Sequence, residues 1–237
     1  MSAYGTLYGI GVGPGDPELL TLKAARILGE VGAVFAASSS KNDHSIAQAI
    51  VAPHLAPDVP VLRLAFPMTR DQAALDAAWQ VNAAAMAEVL AAGRDAAFIT
   101  LGDPLLYSTF GYVLPLVAQL IPGLETVVVP GVTSFQAAAA ATGTVLAASS
   151  ENLLVASGVD SPERLRQSLA TADNAVILKA YRNFPRLRSL LGDMGLASGT
   201  TFVTRLGHDG EAVERDLAKA PEAPHYLSLC LVKRPKT

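Results

Sequence analysis

The sequence predicts an α/β protein with two domains. Up to Thr144, short apolar runs alternate with helical segments, which implies a parallel sheet. After that point strand-like runs outnumber helices, which suggests a mixed sheet. We place the boundary between 131 and 150 and assign 1–140 to an N-terminal α/β domain and 141–237 to a C-terminal α/β domain.

Composition indicates a folded protein with a substantial core. Of the 237 residues, 51% are hydrophobic and 16% are charged, and the formal net charge is −3. The absence of a Lys/Arg run argues against a nucleic-acid or anionic-membrane surface. The sequence shows no apolar run of the ~18 residues that a membrane span needs and no signal peptide. We therefore expect a cytoplasmic protein that acts on a small molecule, without nucleic acid or membrane.

Strands and helices alternate through the first half of the chain. Asp16 is a suitable N-cap, with Pro17 at the first helical position, and Leu20–Val31 carries apolar residues at helical spacing. Asp71 is expected to cap a long helix that ends near Ala92. The predicted strands are Thr6–Val12, Val31–Ala36, Val59–Phe66, Asp95–Thr100 and Glu125–Val129, and the further helices are Ser45–Val51 and Phe110–Ile121.

The second half has a different order of elements. Ser161 is expected to cap a helix that ends near Leu169, and Pro185 to begin one that ends near Gly195. The single cysteine, Cys230, lies in the alternating segment "YLSLCLV" and should be a small apolar strand residue. The predicted strands are Leu153–Ser157, Ala175–Ala180, Thr200–Leu206, Ala212–Leu217 and His225–Val232.

Three loops follow predicted parallel strands, at Gly11–Asp16, Gly102–Thr109 and Pro130–Ser134. In the second loop Gly102 permits unusual backbone angles and Pro104 removes a backbone donor, so the strand ends there. Open α/β sheets place ligands outside the carboxyl ends of their strands. We therefore expect the three loops to line one crevice.

The first loop is not a dinucleotide fingerprint. The string "GIGVGPGD" satisfies G-x-G at Gly9 and Gly11, but Pro14 lacks the backbone donor that a pyrophosphate needs, and no acidic residue closes the next strand near Phe35. The chain contains neither G-x-x-x-x-G-K-[ST] nor G-x-S-x-G, so phosphate binding and serine hydrolysis are not supported.

Metal chemistry is not predicted either. The histidines have no paired ligand spacing and are expected on the surface or in loops. They are His44, His54, His208 and His225.

The remaining features of the loops are backbone donors, short polar side chains and neighbouring apolar residues. Such a site suits a neutral or cationic ligand that is recognised by shape and by amide groups, and an adenosyl sulfonium fits this description. Asp103 is placed to accept from a hydroxyl or ammonium group, while loop amides read an adenine edge.

The strings "GVGPGDPELLTL", "TLGDPLLYSTF" and "VVPGVTSFQAAAA" resemble those of the tetrapyrrole methyltransferases, S-adenosylmethionine enzymes that build uroporphyrinoids and corrinoids. The motifs occur in the family's order, and the match covers essentially the whole chain. Within the family, "FPMTRD", "LGDPLLYSTF", "KAYRNF" and "YLSLCLV" are similar to the members that methylate carbon-20 of precorrin-2.

This resemblance implies a fold of two α/β domains with the cofactor in the cleft between them, in a homodimer. It implies S-adenosylmethionine as the methyl donor and no metal. The segment "KAYRN" departs from the tyrosine–methionine–glycine string of some relatives. The implied cofactor-binding residues are Pro14, Leu101, Gly102, Asp103, Leu106, Thr133 and Ser134, with Ala180 and Leu206 from the second domain.

The implied reaction needs little acid–base catalysis. The sulfonium methyl is an activated electrophile, and the meso carbon of a reduced tetrapyrrole is an enamine-like nucleophile. We assign no catalytic residue and name no group for the released proton. The substrate carries many carboxylates, so cationic and polar contacts are expected. The substrate-binding candidates are Asp16, Arg70, Tyr107 and Arg182, with Arg205 as a further cation near the loops.

Other functions remain open at this point. The same methylation on cobalt-factor II is the alternative within the enzyme class, and a non-catalytic S-adenosylmethionine-binding sensor is the alternative outside it. A nicotinamide-binding protein is a third hypothesis. The polar stretch Ser38–Ser45 is predicted to be mobile without substrate and to act as a lid that excludes water.

Overall fold

A computed structural model describes residues 4–38, 46–69, 71–159 and 161–234. Most of the predicted lid, and with it the predicted cap Ser45, therefore lies outside the described residues, as does Arg70.

The chain divides into two compact units, Met1–Thr133 and Ser134–Thr237. We call them the N-terminal unit and the C-terminal unit. The domain ranges 1–140 and 141–237 stay a prediction.

The N-terminal unit is built on a five-stranded sheet in the order β3-β2-β4-β1-β5. Every neighbouring pair is parallel, which confirms the parallel sheet predicted from the alternation of strands and helices. The three central strands are almost entirely buried, as expected when helices cover both faces. The strands are β1 (Leu7–Gly11), β2 (Ala33–Ser38), β3 (Val61–Ala65), β4 (Ala96–Thr100) and β5 (Thr126–Val129).

Helices pack on both faces of this sheet. They are α1 (Leu22–Leu28), α2 (Ile46–Val51), α3 (Gln72–Ala91) and α4 (Phe110–Leu120). Side chains of α1 and α2 share a core with Ile10 and Ile99, whereas those of α3 and α4 share one with Leu7 and Phe98. Because successive strand residues point to opposite faces, the two cores lie on opposite sides of the sheet.

The first helix begins later than predicted. Asp16 does act as a cap, since its Oδ1 accepts from the Glu18 N–H at 2.9 Å, but it caps only a 3-10 turn, Pro17–Leu19. The α-helix starts at Leu22, where Thr21 Oγ1 accepts from the Ala24 N–H at 3.2 Å. The chain uses two caps in succession, Asp16 for the 3-10 turn and Thr21 for α1. The expectation of one helix from Pro17 was therefore wrong.

The long helix α3 is confirmed at both ends. Asp71 Oδ1 accepts from the N–H groups of Ala73 and Ala74 at 3.0 and 3.3 Å. The helix ends at Ala91, and Gly93 adopts a positive φ of 74° just beyond it.

The C-terminal unit holds a mixed five-stranded sheet in the order β6-β7-β10-β8-β9, which confirms the second prediction. Strands β6 and β7 are parallel, and the other neighbouring pairs are antiparallel. The strands are β6 (Leu153–Ser157), β7 (Asn174–Leu178), β8 (Thr200–Thr204), β9 (Ala212–Glu214) and β10 (Ser228–Lys233). The helices are α5 (Ser134–Thr142), α6 (Pro162–Ala170) and α7 (Phe184–Asp193).

Cys230 lies in the middle of β10 and is fully buried, as predicted. Burial raises the pKa of its thiol to about 12, so the residue stays a neutral apolar group at physiological pH.

Two features are absent from the part of the chain that the structure describes. Its helices are too short or too polar to cross a lipid bilayer. Its His, Cys, Asp and Glu side chains form no group of three or more that could hold a metal ion.

Candidate functional site

The arrangement of strands in the N-terminal unit singles out the carboxyl ends of β1 and β4. These strands are neighbours, yet α1 packs on one face of the sheet and α4 on the other. The connections after the two strands therefore diverge, and we call the region between these strand ends the crevice. Such a switch point is where open α/β sheets bind ligands.

The three glycine-containing loops meet at this point. A Cβ placed at Gly11 would lie 2.5 Å from the Gly102 carbonyl oxygen and 2.6 Å from the Gly131 nitrogen. A Cβ placed at Gly131 would overlap the same Gly102 oxygen. The backbones touch directly, so a side chain at either position would force them apart. The convergence predicted from the sequence is confirmed for the part of these loops that lies in the N-terminal unit.

Backbone hydrogen bonds continue the contact past the strand ends. The Val12 N–H donates to the Thr100 carbonyl at 3.0 Å, and the Gly102 N–H donates to the Gly13 carbonyl at 2.8 Å. Gly13 and Gly102 form an isolated antiparallel bridge, and this bridge fixes the first two loops against each other.

Asp103 joins the second loop to the third. Its Oδ1 accepts from the Leu105 N–H at 2.9 Å, and its Oδ2 accepts from the Gly131 N–H at 3.1 Å. The side chain is half-buried. A carboxylate has about four acceptor positions, so Asp103 keeps acceptor capacity while it holds the loops together.

Gly102 is constrained in a different way from its neighbours. A Cβ there would have open space, with the Thr133 Cα nearest at 3.8 Å. However, its φ is +67°, in the left-handed region that costs an L side chain about 1–2 kcal/mol. The requirement for glycine at position 102 therefore comes from backbone conformation within this unit, whereas the steric constraint lies at Gly11 and Gly131.

The remainder of the second loop is held by hydroxyl groups. Ser108 Oγ donates to Thr100 Oγ1 and accepts from the Phe110 N–H, both at 3.1 Å. These bonds connect the end of β4 to the start of α4. Tyr107, between them, has a φ of 52° and is 48% exposed.

The predicted cofactor-binding residues fall in both units. In the N-terminal unit, Pro14 and Gly102 are buried beside the crevice, and Leu101, Asp103, Leu106 and Thr133 are half-buried. In the C-terminal unit, Ser134 is the first residue of α5, Ala180 is fully buried after β7, and Leu206 packs partly buried against the core beneath α5. Their contact with a cofactor stays a prediction.

The structure places two of the predicted substrate-binding residues, Asp16 and Arg182, in different units. Asp16 is occupied as the cap of the 3-10 turn. Arg182 is exposed in the C-terminal unit, two residues before α7. Contact with substrate is a prediction for Asp16, Tyr107 and Arg182, as it is for Arg70.

Sequence reasoning missed the steric role of Gly11 and Gly131. The available signal was the glycine at the end of each strand, at "GVG" and "PGV", where a residue without a Cβ allows two backbones to touch.

The family model described as Tetrapyrrole (Corrin/Porphyrin) Methylases matches residues 6–221. The cobalamin biosynthesis protein CobIJ of Mycobacterium tuberculosis is 39% identical over 240 residues, which cover 98% of this chain and 46% of that protein. The chain thus spans about half the length of the CobIJ relatives that it matches.

Two further relatives match over nearly their whole length. The cobalt-precorrin-2 C(20)-methyltransferase of Salmonella typhimurium is 37% identical over 234 residues, with 97% of both chains covered. The precorrin-2 C(20)-methyltransferase of a Sinorhizobium species is 34% identical over 239 residues, with 96% of this chain and 95% of that protein covered.

Solved structures share the fold. The cobalt precorrin-4 methyltransferase CbiF matches with a TM-score of 0.75 at 20% identity, covering 96% of this chain and 94% of that one. The uroporphyrin-III C-methyl transferase of Thermus thermophilus, complexed with S-adenyl homocysteine, matches with a TM-score of 0.70 at 23% identity, covering 97% of both. With a family model that extends over most of the chain and relatives above 30% identity along nearly all of it, the chain belongs to the tetrapyrrole methylase family.

Proposed function

We propose that the protein transfers a methyl group from S-adenosylmethionine to carbon-20 of precorrin-2 in cobalamin biosynthesis. The observation that carries the proposal is the meeting of three backbone loops, joined by Asp103, at the switch point of a parallel sheet. The full-length relatives named as C(20)-methyltransferases support the choice of substrate and position.

The groups at the crevice fit an adenosyl sulfonium. Gly11, Gly102 and Gly131 let the three loops meet through their main chains, and amide and carbonyl groups elsewhere in these loops are the groups that would read an adenine edge. Asp103 retains acceptor capacity for a hydroxyl or an ammonium group. The described part of the crevice includes no Lys or Arg that would disfavour a cationic ligand.

When bound, S-adenosylmethionine supplies an activated methyl group. The protein's contribution is then orientation: the loops are fixed by Asp103, the Gly13–Gly102 bridge and the Ser108 bonds. Holding two reactants in line is worth effective molarities of ~10⁵ M or more, so a site without an assigned acid or base is adequate for this reaction.

The cobalt-containing substrate is the second candidate. It is favoured by the Salmonella typhimurium relative, which is named for cobalt-precorrin-2, whereas the Sinorhizobium relative is named for precorrin-2. Both substrates present the same carbon, and the crevice geometry serves both.

The decisive experiment is mass spectrometry of precorrin-2 and of cobalt-factor II, each incubated with the protein and S-adenosylmethionine. We expect a product heavier by one methyl in place of one hydrogen, with the new methyl at carbon-20 by NMR. Absence of product from both substrates, with S-adenosylhomocysteine still bound, would favour the non-catalytic sensor. Binding of a nicotinamide cofactor instead would overturn the assignment of the crevice.

We also propose a cytoplasmic homodimer, as the family resemblance implies. Sedimentation equilibrium gives the mass of the assembly directly, and a monomer at micromolar concentration would contradict the dimer. Cell fractionation tests the compartment.

A further inference from the structure

One glycine of the N-terminal unit lies inside a strand rather than in a loop. Gly9 is the middle residue of β1 and is buried, and it pairs with Phe98 of β4 on one side and with Val128 of β5 on the other. A glycine inside a strand weakens that strand, because it adds entropy to the unfolded chain and offers no side chain to pack. Its presence in a strand that is paired on both sides therefore needs a structural reason.

The ring of Phe110 supplies that reason. Position 9 faces the same side of the sheet as Leu7, which shares a core with α3 and α4. A Cβ placed at Gly9 would overlap the Phe110 ring, with Cζ 2.5 Å away. Phe110 is fully buried, so its ring fills the space that a side chain at position 9 would occupy. We call this space, over Gly9 and between Phe98 and Val128, the Gly9 notch.

Two further rings hold Phe110 in the notch. The Phe110 and Phe98 ring centroids lie 5.5 Å apart with the rings tilted by 43°, and those of Phe98 and Phe66 lie 6.2 Å apart at 90°. Phe66 and Phe98 are themselves buried. In a close-packed core a ring of this size moves only if its neighbours move. A side chain at position 9 would therefore displace Phe110 together with the main chain that carries it.

Phe110 lies where the second loop ends, because it is the first residue of α4. Its N–H donates to Ser108 Oγ, and the same Oγ donates to Thr100 Oγ1 at the end of β4, both at 3.1 Å. The end of the loop is thus fixed in two ways. A pair of hydroxyl groups attaches it to β4, and the Phe110 ring attaches it to β1.

The start of the second loop has its own attachments, the bridge between Gly102 and Gly13 and the bond from the Gly131 N–H to Asp103. Between the two ends, Tyr107 has a φ of 52°. Such a conformation in a residue other than glycine persists where the surrounding structure enforces it. A loop held at both ends keeps its groups in one arrangement before a ligand binds, which is what a binding site requires of its support.

We propose that Phe110, seated in the Gly9 notch, is a positioning residue for methyl transfer that sets where the second loop presents its groups to the cofactor. The identity of the cofactor rests here on the proposed function. Phe110 is fully buried and is not expected to touch either reactant, so it acts through the loop. Misplacement of a reactant by ~1 Å can cost ~100-fold in rate, which makes the placement of this loop matter for catalysis.

An exchange of volume between the two positions tests this role. Gly9→Ala adds a methyl group to the notch, Phe110→Leu shrinks the side chain that fills it, and the double variant does both. Val117→Ala is the control, because Val117 is fully buried in the same helix and the same core but lies further from the loop. Three measurements are made: S-adenosylhomocysteine affinity by calorimetry, hydrogen exchange of residues 101–109 without ligand, and stability by urea unfolding.

We expect Kd for S-adenosylhomocysteine to rise ~tenfold in Gly9→Ala and ~threefold in Phe110→Leu. The double variant should bind about as well as Phe110→Leu, because the new methyl group enters space that the ring has left, and core changes that conserve volume are tolerated best. Hydrogen exchange of residues 101–109 should be faster in both single variants. Val117→Ala should lose stability and keep wild-type affinity and wild-type exchange in this loop.

A purely structural role for Phe110 gives a different result. Folded Gly9→Ala and Phe110→Leu variants that lose stability, yet match Val117→Ala in cofactor affinity and loop exchange, would overturn the proposal. Phe110→Leu only removes atoms from the notch, so it keeps the experiment decisive if Gly9→Ala does not fold. A loss of affinity in the double variant that equals the product of the two single losses would also overturn it, since residues in contact do not act independently.

Turnover separates this role from the proposed function. Unchanged cofactor affinity and loop exchange in the variants, while the wild-type protein methylates precorrin-2, would overturn the role of Phe110 and leave the function standing. Faster loop exchange and weaker S-adenosylhomocysteine binding in the variants, while the wild-type protein methylates no tetrapyrrole, would support the placement of the second loop by Phe110 and overturn the function.

Discussion

The crevice of the N-terminal unit and the strand ends of the C-terminal unit, where Lys179 follows β7 and Arg205 follows β8, present different chemical groups. The crevice is made of bare backbone at three glycines and one carboxylate, Asp103, which suits a cationic ligand. The strand ends carry two long cationic side chains on left-handed backbone, Lys179 and Arg205, and the C-terminal unit also holds the edge-to-face pair of Tyr181 and Tyr226.

The two regions should also differ in how strongly a substitution changes ligand binding. Backbone contacts fix position closely but tolerate little change, since any added atom meets another main chain. Separated side chains at strand ends tolerate substitution, because each contributes a limited, screened share of the binding free energy. Substitutions in the crevice should therefore have much larger effects than those at the strand ends.

The largest effect is expected from Gly131→Ala. The new Cβ would overlap the Gly102 carbonyl oxygen, a backbone atom that moves only if the loop moves. Overpacking of this kind costs about 1–3 kcal/mol, and we expect S-adenosylhomocysteine affinity by calorimetry to fall more than ~tenfold. Gly111→Ala is the control, because nothing lies within 4 Å of a Cβ there. Wild-type affinity and stability in Gly131→Ala would show that the loops are not in contact.

Asp103→Asn should come next. The amide keeps the size of the side chain but places an NH₂ group against one of the two N–H donors, Leu105 or Gly131. Hydrogen bonds to charged groups contribute about 1.5–3 kcal/mol, so cofactor affinity should fall ~10–100-fold.

Asp95→Asn provides the matched control for that variant. Asp95 Oδ1 accepts from the Thr6 N–H at 2.7 Å, at the amino ends of the neighbouring strands β1 and β4 and away from the three loops. This substitution should lower stability and leave cofactor affinity unchanged. Equal losses of affinity in both variants would mean that Asp103 acts only through the stability of the unit.

At the end of β7, Lys179→Met should stabilise the protein slightly near neutral pH. Partial burial and the charge of Arg182 lower the pKa of Lys179 below its usual 10.5. The unfolded chain therefore holds this proton more tightly, and the contribution of Lys179 to stability rises with pH between the lowered pKa and 10.5. We expect a small gain in the free energy of unfolding, measured with urea at pH 7, because solvent screens a partly exposed charge; the gain should shrink toward pH 10.5. A loss of stability at pH 7 would contradict the unfavourable burial of Lys179 and its repulsion from Arg182.

The smallest effect is expected at the other end of the C-terminal sheet, where Lys233 and Glu151 form an ion pair. Hydrogen bonds from the Asn174 amide, the Ala148 N–H and Lys233 lower the pKa of Glu151 from 4.5 to about 2. Its carboxylate therefore stabilises the fold above pH 4.5, and this contribution is lost as the pH falls toward 2. Glu151→Gln should be less stable than wild type at pH 7, with a difference that disappears in acid. A pH-independent difference would show that the charge of Glu151 is irrelevant.

Local signals predicted most of the elements but not all of their ends. Asp71 and Ser161 were sufficient to fix the starts of α3 and α6. Asp16 was not, because Thr21 offers a second cap and the chain uses both. The strand predicted to reach Ala180 ends at Leu178, where Lys179 turns into the left-handed region, and no sequence pattern marks that turn.

The sequence by itself determined the family, the two sheet types and the three loops, since glycines, caps and hydrophobic periodicity act over a few residues. Only the tertiary structure decided that the backbones at Gly11 and Gly131 both pack against the Gly102 carbonyl oxygen. It also decided that Asp103 accepts a hydrogen bond from a residue 28 positions away. It alone brought Lys179 and Arg205 to one edge, because antiparallel pairing through β10 joins strand ends that are distant in the chain. Contacts of this kind depend on strand order, and strand order is fixed by the packing of the whole unit rather than by any local stretch of residues.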